Sequence, residues 1–283
     1  MTTLRRREQR SPTGLPIATC VALSILASAG CSQPPLSATT WIDVAEGLQY
    51  AEVRHRGQQS QALIHGHALR FEPTRWQQVV VDARSAGAGT DDAASFRAKV
   101  KGIAAINAGF FDPKQRPLGL LVSAGKQVSR LRKVDHGVLT VTRRGDVKLQ
   151  HARSYNKPAD LDFAIECGPR LLVDGRPFPF KAGIAKRTAI GVDDRGFVLW
   201  FASDTSLSLA DLAALMAAPA GGQGLGARQA LNLDGGKSTM MDIDTRSLDA
   251  SPAKSPSKEI TVSLRSSVQV PIGLALVPRP QSP

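Results

Sequence analysis

The chain has 283 residues, of which 42% are hydrophobic and 21% charged, so it has the composition of a globular protein long enough to bury a substantial core. A formal net charge of +12 favours anionic substrates or surfaces. This charge is scattered, with no basic block longer than residues 130–133, and it comes without zinc-finger spacing, a basic helix or an aromatic-rich basic strand. That pattern argues against a nucleic-acid-binding protein.

The first thirty residues indicate an export signal. Arginines at positions 5, 6, 7 and 10 precede an apolar run over residues 15–29 that is too short to span a membrane comfortably. The run ends in Ala-Ser-Ala-Gly before Cys31, which resembles a lipobox and predicts lipidation of that cysteine. Ser28 stands where a lipobox usually has Leu, so cleavage by ordinary signal peptidase is the alternative. We expect a periplasmic protein held at the outer membrane by a lipid anchor only, with a signal peptide over residues 1–31, a tether over 32–42 and one domain over 43–283.

Short apolar runs alternate with turn signals from residue 53 onward, which predicts more strands than helices. We therefore expect an α+β fold, a strand-rich mixed or antiparallel sheet with a few helices packed on it. The predicted elements are, in chain order, a helix over residues 92–103, hairpins over 118–126 and 138–146, a strand over 171–173, a hairpin over 188–202, a helix over 208–217 opened by Ser208, and terminal strands over 260–264 and 268–276.

A glycine-containing loop near residue 235 is the first candidate site. An apolar strand delivers Asn232 and Asp234 into this loop, whose other polar or small members are Gly235, Gly236, Lys237, Ser238 and Thr239. Glycines present backbone N–H groups to an anion, and the two hydroxyls suit phosphate or sugar oxygens. The alternative is an ordinary hairpin turn. A nucleotide-binding P-loop does not fit, because Leu231 stands where that motif needs a glycine.

A second cluster ends another predicted strand and contains Asn107 and Asp112. Two carboxylates facing one pocket would suit glycosidic cleavage, in which one group protonates the leaving oxygen and another assists attack. Asp112 has an alternative role as a turn carboxylate capping residues 113–115, and Asn107 an alternative role in satisfying backbone groups.

Further candidates flank the other predicted strands. Arg187 and Thr188 open one strand, where a guanidinium suits bidentate phosphate recognition or, alternatively, an edge-strand salt bridge. Glu166 is a candidate general acid or base and Arg170 a second anion contact. Cys167 is better explained as a small core residue than as a nucleophile. His65 and His67 resemble metal ligands by residue type only and are better explained as solvated or structural histidines, so we assign no metal site.

Five motifs in this order resemble the phosphodiester glycosidase (NAGPA-like) family over roughly residues 44–278. They are Gly-Phe-Phe-Asp at 109–112, Pro-Leu-Gly at 117–119, Gly-Pro-Arg-Leu at 168–171, Arg-Thr-Ala-Ile-Gly at 187–191 and Leu-Asp-Gly-Gly at 233–236. The resemblance implies hydrolysis of the bond between a sugar anomeric carbon and a phosphodiester oxygen, with envelope or exopolysaccharide glycans as substrates. It also implies a pocket lined by Asn107, Asp112, Arg187, Asn232, Asp234, Gly235, Gly236, Ser238 and Thr239.

Within that resemblance we expect Asp234, with Asp112 or Glu166, to perform the acid and base chemistry. The phosphate would be held by Arg187, the backbone of Gly235 and Gly236, and the hydroxyls of Ser238 and Thr239. Lys237 departs from the family pattern, and it either adds a phosphate contact or blocks the loop. The alternative functions are a noncatalytic glycan-binding lipoprotein of the same fold, or cleavage at phosphorus. A divalent cation near Asp112 or Asp234 is left open, as is the oligomeric state.

Overall fold

The computed structural model describes residues 38–87, 89–246, 248 and 258–280. The predicted signal peptide and Cys31 lie outside this part of the chain. Thr39, which we placed in a tether over 32–42, is buried, and its amide donates to the Gly222 carbonyl over 2.7 Å. Its hydroxyl also lies 2.7 Å from His55 Nε2, so the domain begins before residue 43.

Strands dominate the described residues. In chain order they are β1 (Ile42–Ala45), β2 (Leu48–Arg56), β3 (Leu63–Phe71), β4 (Trp76–Asp82), β5 (Ala104–Asn107), β6 (Leu121–Ser123), β7 (Lys126–Ser129), β8 (Gly137–Thr142), β9 (Val147–His151), β10 (Leu161–Cys167), β11 (Arg170–Val173), β12 (Arg176–Pro177), β13 (Ile184–Ala185), β14 (Thr188–Asp193), β15 (Val198–Ser203), β16 (Leu207–Ser208), β17 (Ala227–Asn232), β18 (Met241–Asp244), β19 (Thr261–Leu264) and β20 (Ile272–Pro278).

Three large sheets form from these strands. An eight-stranded sheet has the order β1-β2-β3-β15-β14-β17-β11-β12, and two five-stranded sheets have the orders β7-β6-β10-β8-β9 and β19-β18-β5-β20-β4. Strands β13 and β16 pair separately. Every pairing between these strands is antiparallel, which confirms the predicted α+β, strand-rich class.

One apolar core joins the three sheets. It contains Leu69 and Trp200 from the eight-stranded sheet, Ile106 and Leu274 from one five-stranded sheet, and Ile165 from the other. These side chains are fully or almost fully buried, and removing such surface from water is the main favourable term in folding. The strand ends that border this core are therefore held rigidly with respect to one another.

Two helices cover the outer sheet faces. Helix α1 (Ala93–Lys99) begins at the N-cap Asp92, whose carboxylate accepts a hydrogen bond from Ser95 N over 2.8 Å. The helix ends at Lys99 and not at residue 103, because the following Gly102 lies against the Leu276 carbonyl and Ile103 already pairs with β20.

Helix α2 (Leu209–Ala217) begins after Ser208, as predicted, and its apolar residues pack on the eight-stranded sheet. Among the described residues, neither helix is long and apolar enough to cross a membrane.

Candidate functional site

The ends of four strands meet at one edge of the core. Strand β5 ends at Asn107 and β10 at Cys167, whereas β14 begins at Thr188 and β17 ends at Asn232. The register places Asn232 opposite Ala189, so the loop after β17 runs beside the start of β14. We call Asn107, Glu166, Thr188, Asn232 and Asp234 the strand-end cluster.

Asn107 connects three parts of this cluster. Its Nδ2 donates to the Asp234 carbonyl over 2.7 Å and to the Ala108 carbonyl over 3.2 Å, while its Oδ1 accepts from Thr188 Oγ1 at 2.7 Å and Met240 N at 3.2 Å. Both Asn107 and Thr188 are buried. Their polar groups are engaged within the protein, so they position the loop, whereas we expected both to contact substrate.

Asn232 also has a positioning role. Its Nδ2 donates to the Gly168 carbonyl over 3.0 Å and to the Leu233 carbonyl over 2.6 Å. Its Oδ1 is buried and has no hydrogen-bond partner in the structure. The amide therefore joins the end of β17 to the segment between β10 and β11.

Asp234 is the half-buried carboxylate of the cluster. Burial raises the pKa of its carboxyl above the ordinary value, and hydrogen bonds from the Ser238 hydroxyl and the Gly235 amide oppose that rise. The Gly235 N to Asp234 Oδ1 distance is 3.0 Å. An acidic group with a raised pKa at the edge of a core is a candidate for acid or base chemistry.

The glycine loop does not present the expected row of free amides. Gly235 N donates to Asp234, and Gly236 N donates to the Lys186 carbonyl over 2.8 Å. Ser238 and Thr239 donate their amides to the carbonyls of Gly235 and Gly236 in a short 3-10 turn. Anion binding here therefore falls to side chains, of which Lys237 is exposed while Ser238 and the unpartnered Thr239 hydroxyl are buried.

Arg187 lies beside this loop. A Cβ added at Gly235 would sit 3.9 Å from Arg187 Cδ and 2.8 Å from the Lys186 carbonyl oxygen. The guanidinium donates to the carbonyls of Leu207 and Gly183 over 3.2 and 3.0 Å. Burial lowers its pKa, and among the described residues no carboxylate pairs with it, so it is not the edge-strand salt bridge we considered.

Glu166 holds a loop and faces a histidine. Its Oε2 accepts from Leu120 N and Arg132 N, each over 2.9 Å, and its Oε1 lies 3.5 Å from His136 Nδ1. Burial by itself would raise the pKa of Glu166, but the interaction with His136 and the two amide hydrogen bonds lower it overall. The side chain is fully buried, so Glu166 is not exposed to a ligand, and neither its Oε1 nor His136 Nδ1 makes a hydrogen bond with any described residue.

His136 was not predicted from the sequence. It precedes β8, its ring centroid lies 5.9 Å from that of Phe110, and a Cβ on Gly168 would approach its Cδ2 to 2.7 Å. About a quarter of the side chain is exposed. The sequence does contain a signal for His136, because this histidine directly precedes a predicted apolar strand and follows a basic segment.

Asp112 has the turn role that we gave as its alternative. Its Oδ1 accepts from the amides of Lys114 and Arg116, each over 2.9 Å, and its Oδ2 lies 2.7 Å from Arg116 Nη2. These contacts hold the pKa of Asp112 below its usual range. None of its described hydrogen bonds reaches the strand-end cluster, which does not support our assignment of Asp112 as a catalytic group.

A small cavity of about 170 Å³ borders the site. It is lined by Asp135, Pro169, Arg170, Phe178, Pro179 and Phe180. Arg170 stacks over Phe178 at 5.0 Å, and the Pro169 carbonyl accepts from Asn232 N. A larger cavity of about 820 Å³, at Trp41, Arg70 and Asp193, lies at the other end of β14 and contains none of the predicted residues.

Comparison with known proteins assigns this arrangement to a family. The sequence profile of the phosphodiester glycosidase family (NAGPA) matches residues 101–266, a span that contains the whole strand-end cluster. The chain belongs to the phosphodiester glycosidase family. None of the curated proteins matches the sequence significantly.

Two solved structures share the phosphodiester glycosidase fold of this chain. A hypothetical protein from Synechocystis has a TM-score of 0.63 at 17% identity, and the match covers 88% of this chain but 64% of that protein, so this chain spans less than two thirds of it. The catalytic domain of zebrafish N-acetylglucosamine-1-phosphodiester alpha-N-acetylglucosaminidase, auto-inhibited by its pro-peptide, has a TM-score of 0.63 at 18% identity, with 85% and 88% of the two chains covered.

Most of the residues that the family resemblance assigned to the pocket lie in or beside the strand-end cluster. Hydrogen bonds connect Asn107, Thr188 and Asp234, and the loop amides connect that group to Lys186. Asp112 is the exception. Asp234 and Arg187 are half-buried and the neighbouring Lys237 is exposed, so these three side chains are accessible to a ligand.

Proposed function

We propose that the chain is an exported hydrolase that cleaves the glycosidic bond of a sugar-1-phosphodiester in envelope or exopolysaccharide glycans. The observation that carries the proposal is the half-buried Asp234 carboxyl, whose pKa is raised by burial and which accepts from Ser238 and from Gly235 N. Its backbone carbonyl is held by Asn107, and Arg187 lies beside the following Gly235. Family membership supports a glycosidase acting on phosphodiesters. The substrate class and the cellular location are our inference.

The chemistry assigned to Asp234 is assistance at the anomeric carbon. In the reaction, the bond from that carbon to the phosphodiester oxygen breaks, a water oxygen takes its place, and a reducing sugar and a phosphomonoester leave. Because a phosphate is already a good leaving group, stabilising positive charge at the anomeric carbon matters more than protonating the leaving oxygen. An ionised Asp234 supplies that negative charge.

His136, positioned by Glu166, is the second reacting group in this proposal. Its Nδ1 lies 3.5 Å from the buried Glu166 Oε1, and although neither atom makes a hydrogen bond within the described part of the chain, a small approach would let the carboxylate orient the imidazole for proton transfer. Gly168, whose carbonyl accepts from Asn232, lies directly against the His136 ring. We assign His136 to moving the proton of the attacking water.

Basic side chains around the cluster favour an anionic substrate. The Arg132 amide binds Glu166, which brings the basic residues 130–133 to the site, and Arg170 borders the adjacent cavity. Lys237 is exposed in the glycine loop. The positive charges of this region would attract a phosphate group.

The test is the substitution Asp234→Asn, which keeps the shape of the side chain and removes its charge. We expect turnover of a sugar-1-phosphodiester to fall by about 10²–10⁴-fold, measured as reducing sugar released. Asp194→Asn is the matched control, because Asp194 is exposed beyond the opposite end of β14. Unchanged turnover in a folded Asp234→Asn variant would contradict the assignment.

A noncatalytic glycan-binding protein is the second candidate. The observation that favours it is that several polar groups of the site form hydrogen bonds within the protein, which leaves few donors to stabilise a transition state. These groups belong to Asn107, Thr188, Gly235 and Gly236. A panel of sugar-1-phosphodiesters tested for both binding and turnover separates the two. Binding without turnover for every donor would favour this candidate.

Cleavage at phosphorus is a third outcome, distinguished by isotope-labelled water. Label in the released sugar supports glycosidic cleavage, because water then adds to the anomeric carbon. Label in the phosphate opposes it.

The location of the protein is part of the proposal. The arginine-rich start, the apolar run and Cys31 support export and lipid anchoring at the outer membrane. A membrane-anchored hydrolase would act on glycans of the cell envelope.

A further inference from the structure

A second cluster of metal-ligating groups lies outside the strand-end cluster. His65 and His67 are two residues apart on β3, so their side chains project from the same face of the sheet. Asp204 follows β15, the neighbouring strand. Its Oδ2 lies 3.0 Å from His65 Nδ1 and 3.3 Å from His67 Nε2.

The other nitrogen of each ring has a partner on β2. His65 Nε2 lies 2.8 Å from Glu52 Oε1, and His67 Nδ1 lies 2.9 Å from the Tyr50 hydroxyl. When both rings donate outward to these oxygens, the two inner nitrogens carry lone pairs directed at Asp204. Metal-ligating histidines typically have this arrangement, in which an outer carboxylate or hydroxyl fixes the tautomer and the ring orientation.

The spacing of the inner atoms fits a tetrahedral ion. Ligand atoms about 2.0–2.1 Å from zinc lie about 3.3 Å apart in a tetrahedral site. The two measured separations, 3.0 and 3.3 Å, are close to that value, and the three ligand atoms lie within 4.8 Å of one another. Only small side-chain movements are needed to admit an ion.

We propose that His65 Nδ1, His67 Nε2 and Asp204 Oδ2 bind a divalent transition-metal ion of the Zn²⁺ type, with a fourth position open to solvent. Two imidazoles and one carboxylate match the ligand preference of zinc, whereas calcium and magnesium prefer oxygen ligands. All three side chains are half-buried, so an ion has a path from solvent. This proposal does not depend on the proposed hydrolase function.

The ion would connect two strands near the candidate active site. Asp204 N donates to the His65 carbonyl over 2.8 Å, and the preceding Ser203 N donates to the Arg187 carbonyl over 2.9 Å. The register pairs Thr188 with Ala202 and Ala202 with His67, so Thr188 and His67 are about 10 Å apart, two strand spacings. The metal site would therefore fix the end of β15 that supports Arg187.

Zinc binding to the untagged full chain tests the proposal. After treatment with a chelator and its removal, we expect titration calorimetry with Zn²⁺ alone to show one equivalent bound, and Co²⁺ to give the visible absorption of a tetrahedral site. Asp204→Asn should weaken Zn²⁺ binding at least tenfold. Because the Asp204 side chain is partly exposed, we expect this variant to fold, so weaker binding would report on the loss of the ligand. Glu52→Gln, at an exposed position, should weaken binding about 10–100-fold by releasing His65.

His151→Ala is the matched control. His151 Nε2 lies 2.9 Å from Asp135 Oδ1, so this site also pairs an imidazole with a carboxylate, but among the described residues no third ligand group completes a cluster with this pair. We expect this variant to bind zinc like the wild type. Absence of zinc binding by the wild type, or equal affinity in wild type and Asp204→Asn, would overturn the proposal and leave the cluster as a hydrogen-bonded network.

Discussion

Asn107 has all four hydrogen-bonding positions of its side-chain amide occupied. The two donors bind the Ala108 and Asp234 carbonyls, and the one oxygen accepts from Thr188 and Met240. Because the residue is buried, each of these bonds lacks competition from water. The sequence shows only that an Asn stands at the end of a predicted strand. It does not show the hydrogen-bond partners of that Asn, so a positioning role could not be distinguished from a ligand-binding role.

Replacing Asn107 by Asp should unfold or strongly destabilise the protein. The new carboxylate would face two carbonyl oxygens in a buried position, and we expect the free energy of unfolding to fall by about 3–5 kcal/mol. Denaturant unfolding of Asn107→Asp measures this, with the exposed Asn156→Asp as the control. A loss equal to that of the control would show that the network contributes little.

Glu166 should make the stability of the protein depend on pH in the acid range. Its pKa is lowered in the folded state, so its stabilising contribution is present above the unfolded pKa of about 4.3 and is lost as pH falls through the folded pKa. Glu166→Gln removes that titration. We expect the stability difference between wild type and variant to shrink as the pH falls from 6 to 3; a difference that stays constant would contradict the ionised assignment.

At the scale of elements, local patterns predicted much of the framework. The turn signals after residues 122, 141 and 192 correspond to the hairpins β6–β7, β8–β9 and β14–β15, and Ser208 caps α2. The spacing of Phe96, Val100 and Ile103 predicted too long a helix, because pairing of Ile103 with β20 is a long-range contact. His136 was missed for the same reason, since Glu166 reaches it from another strand.

The glycine loop gives a test at this scale, because Gly235 packs directly on the Lys186 carbonyl. Gly235→Ala would place a Cβ 2.8 Å from that oxygen, and we expect a loss of about 1–3 kcal/mol in stability together with reduced turnover. Gly183→Ala is the control, because its added Cβ meets nothing within 4 Å although Gly183 also contacts Arg187. Equal stability of the two variants would show that the glycine loop can move away from the Lys186 carbonyl at no cost in free energy.

At the scale of the whole molecule, three antiparallel sheets share one core, and the site lies where strands from each sheet end. The sequence predicted the class and the motifs because strand periodicity and glycine turns are local signals. It did not predict which strands are neighbours, since β5 pairs with β18 and β20 from the far end of the chain. The two roles considered for Asp112 could be separated only in the structure, where its carboxylate accepts from the amides of Lys114 and Arg116.

Lipid anchoring is the prediction that concerns the whole chain. In a bacterial host, radiolabelled palmitate should be incorporated into the wild type and not into Cys31→Ser, because the Cys31 thiol of the proposed lipoprotein would carry a diacylglyceryl group whose fatty acids take up the label. The variant should shift from the membrane to the soluble fraction. Cys20→Ser is the control that removes a cysteine and retains Cys31; equal labelling of all three proteins would contradict lipidation at Cys31.

The placement of β20 between β5 and β4 has a consequence for how the protein is made. Asn107 can be fixed only after residues 272–278 have left the ribosome, because β20 supplies the hydrogen bonds along one side of its strand. Until residues 272–278 have emerged, the chain lacks a closed central sheet. If the protein is exported as we propose, a sheet that stays open until then would leave the chain able to pass through a translocation channel and fold on the other side.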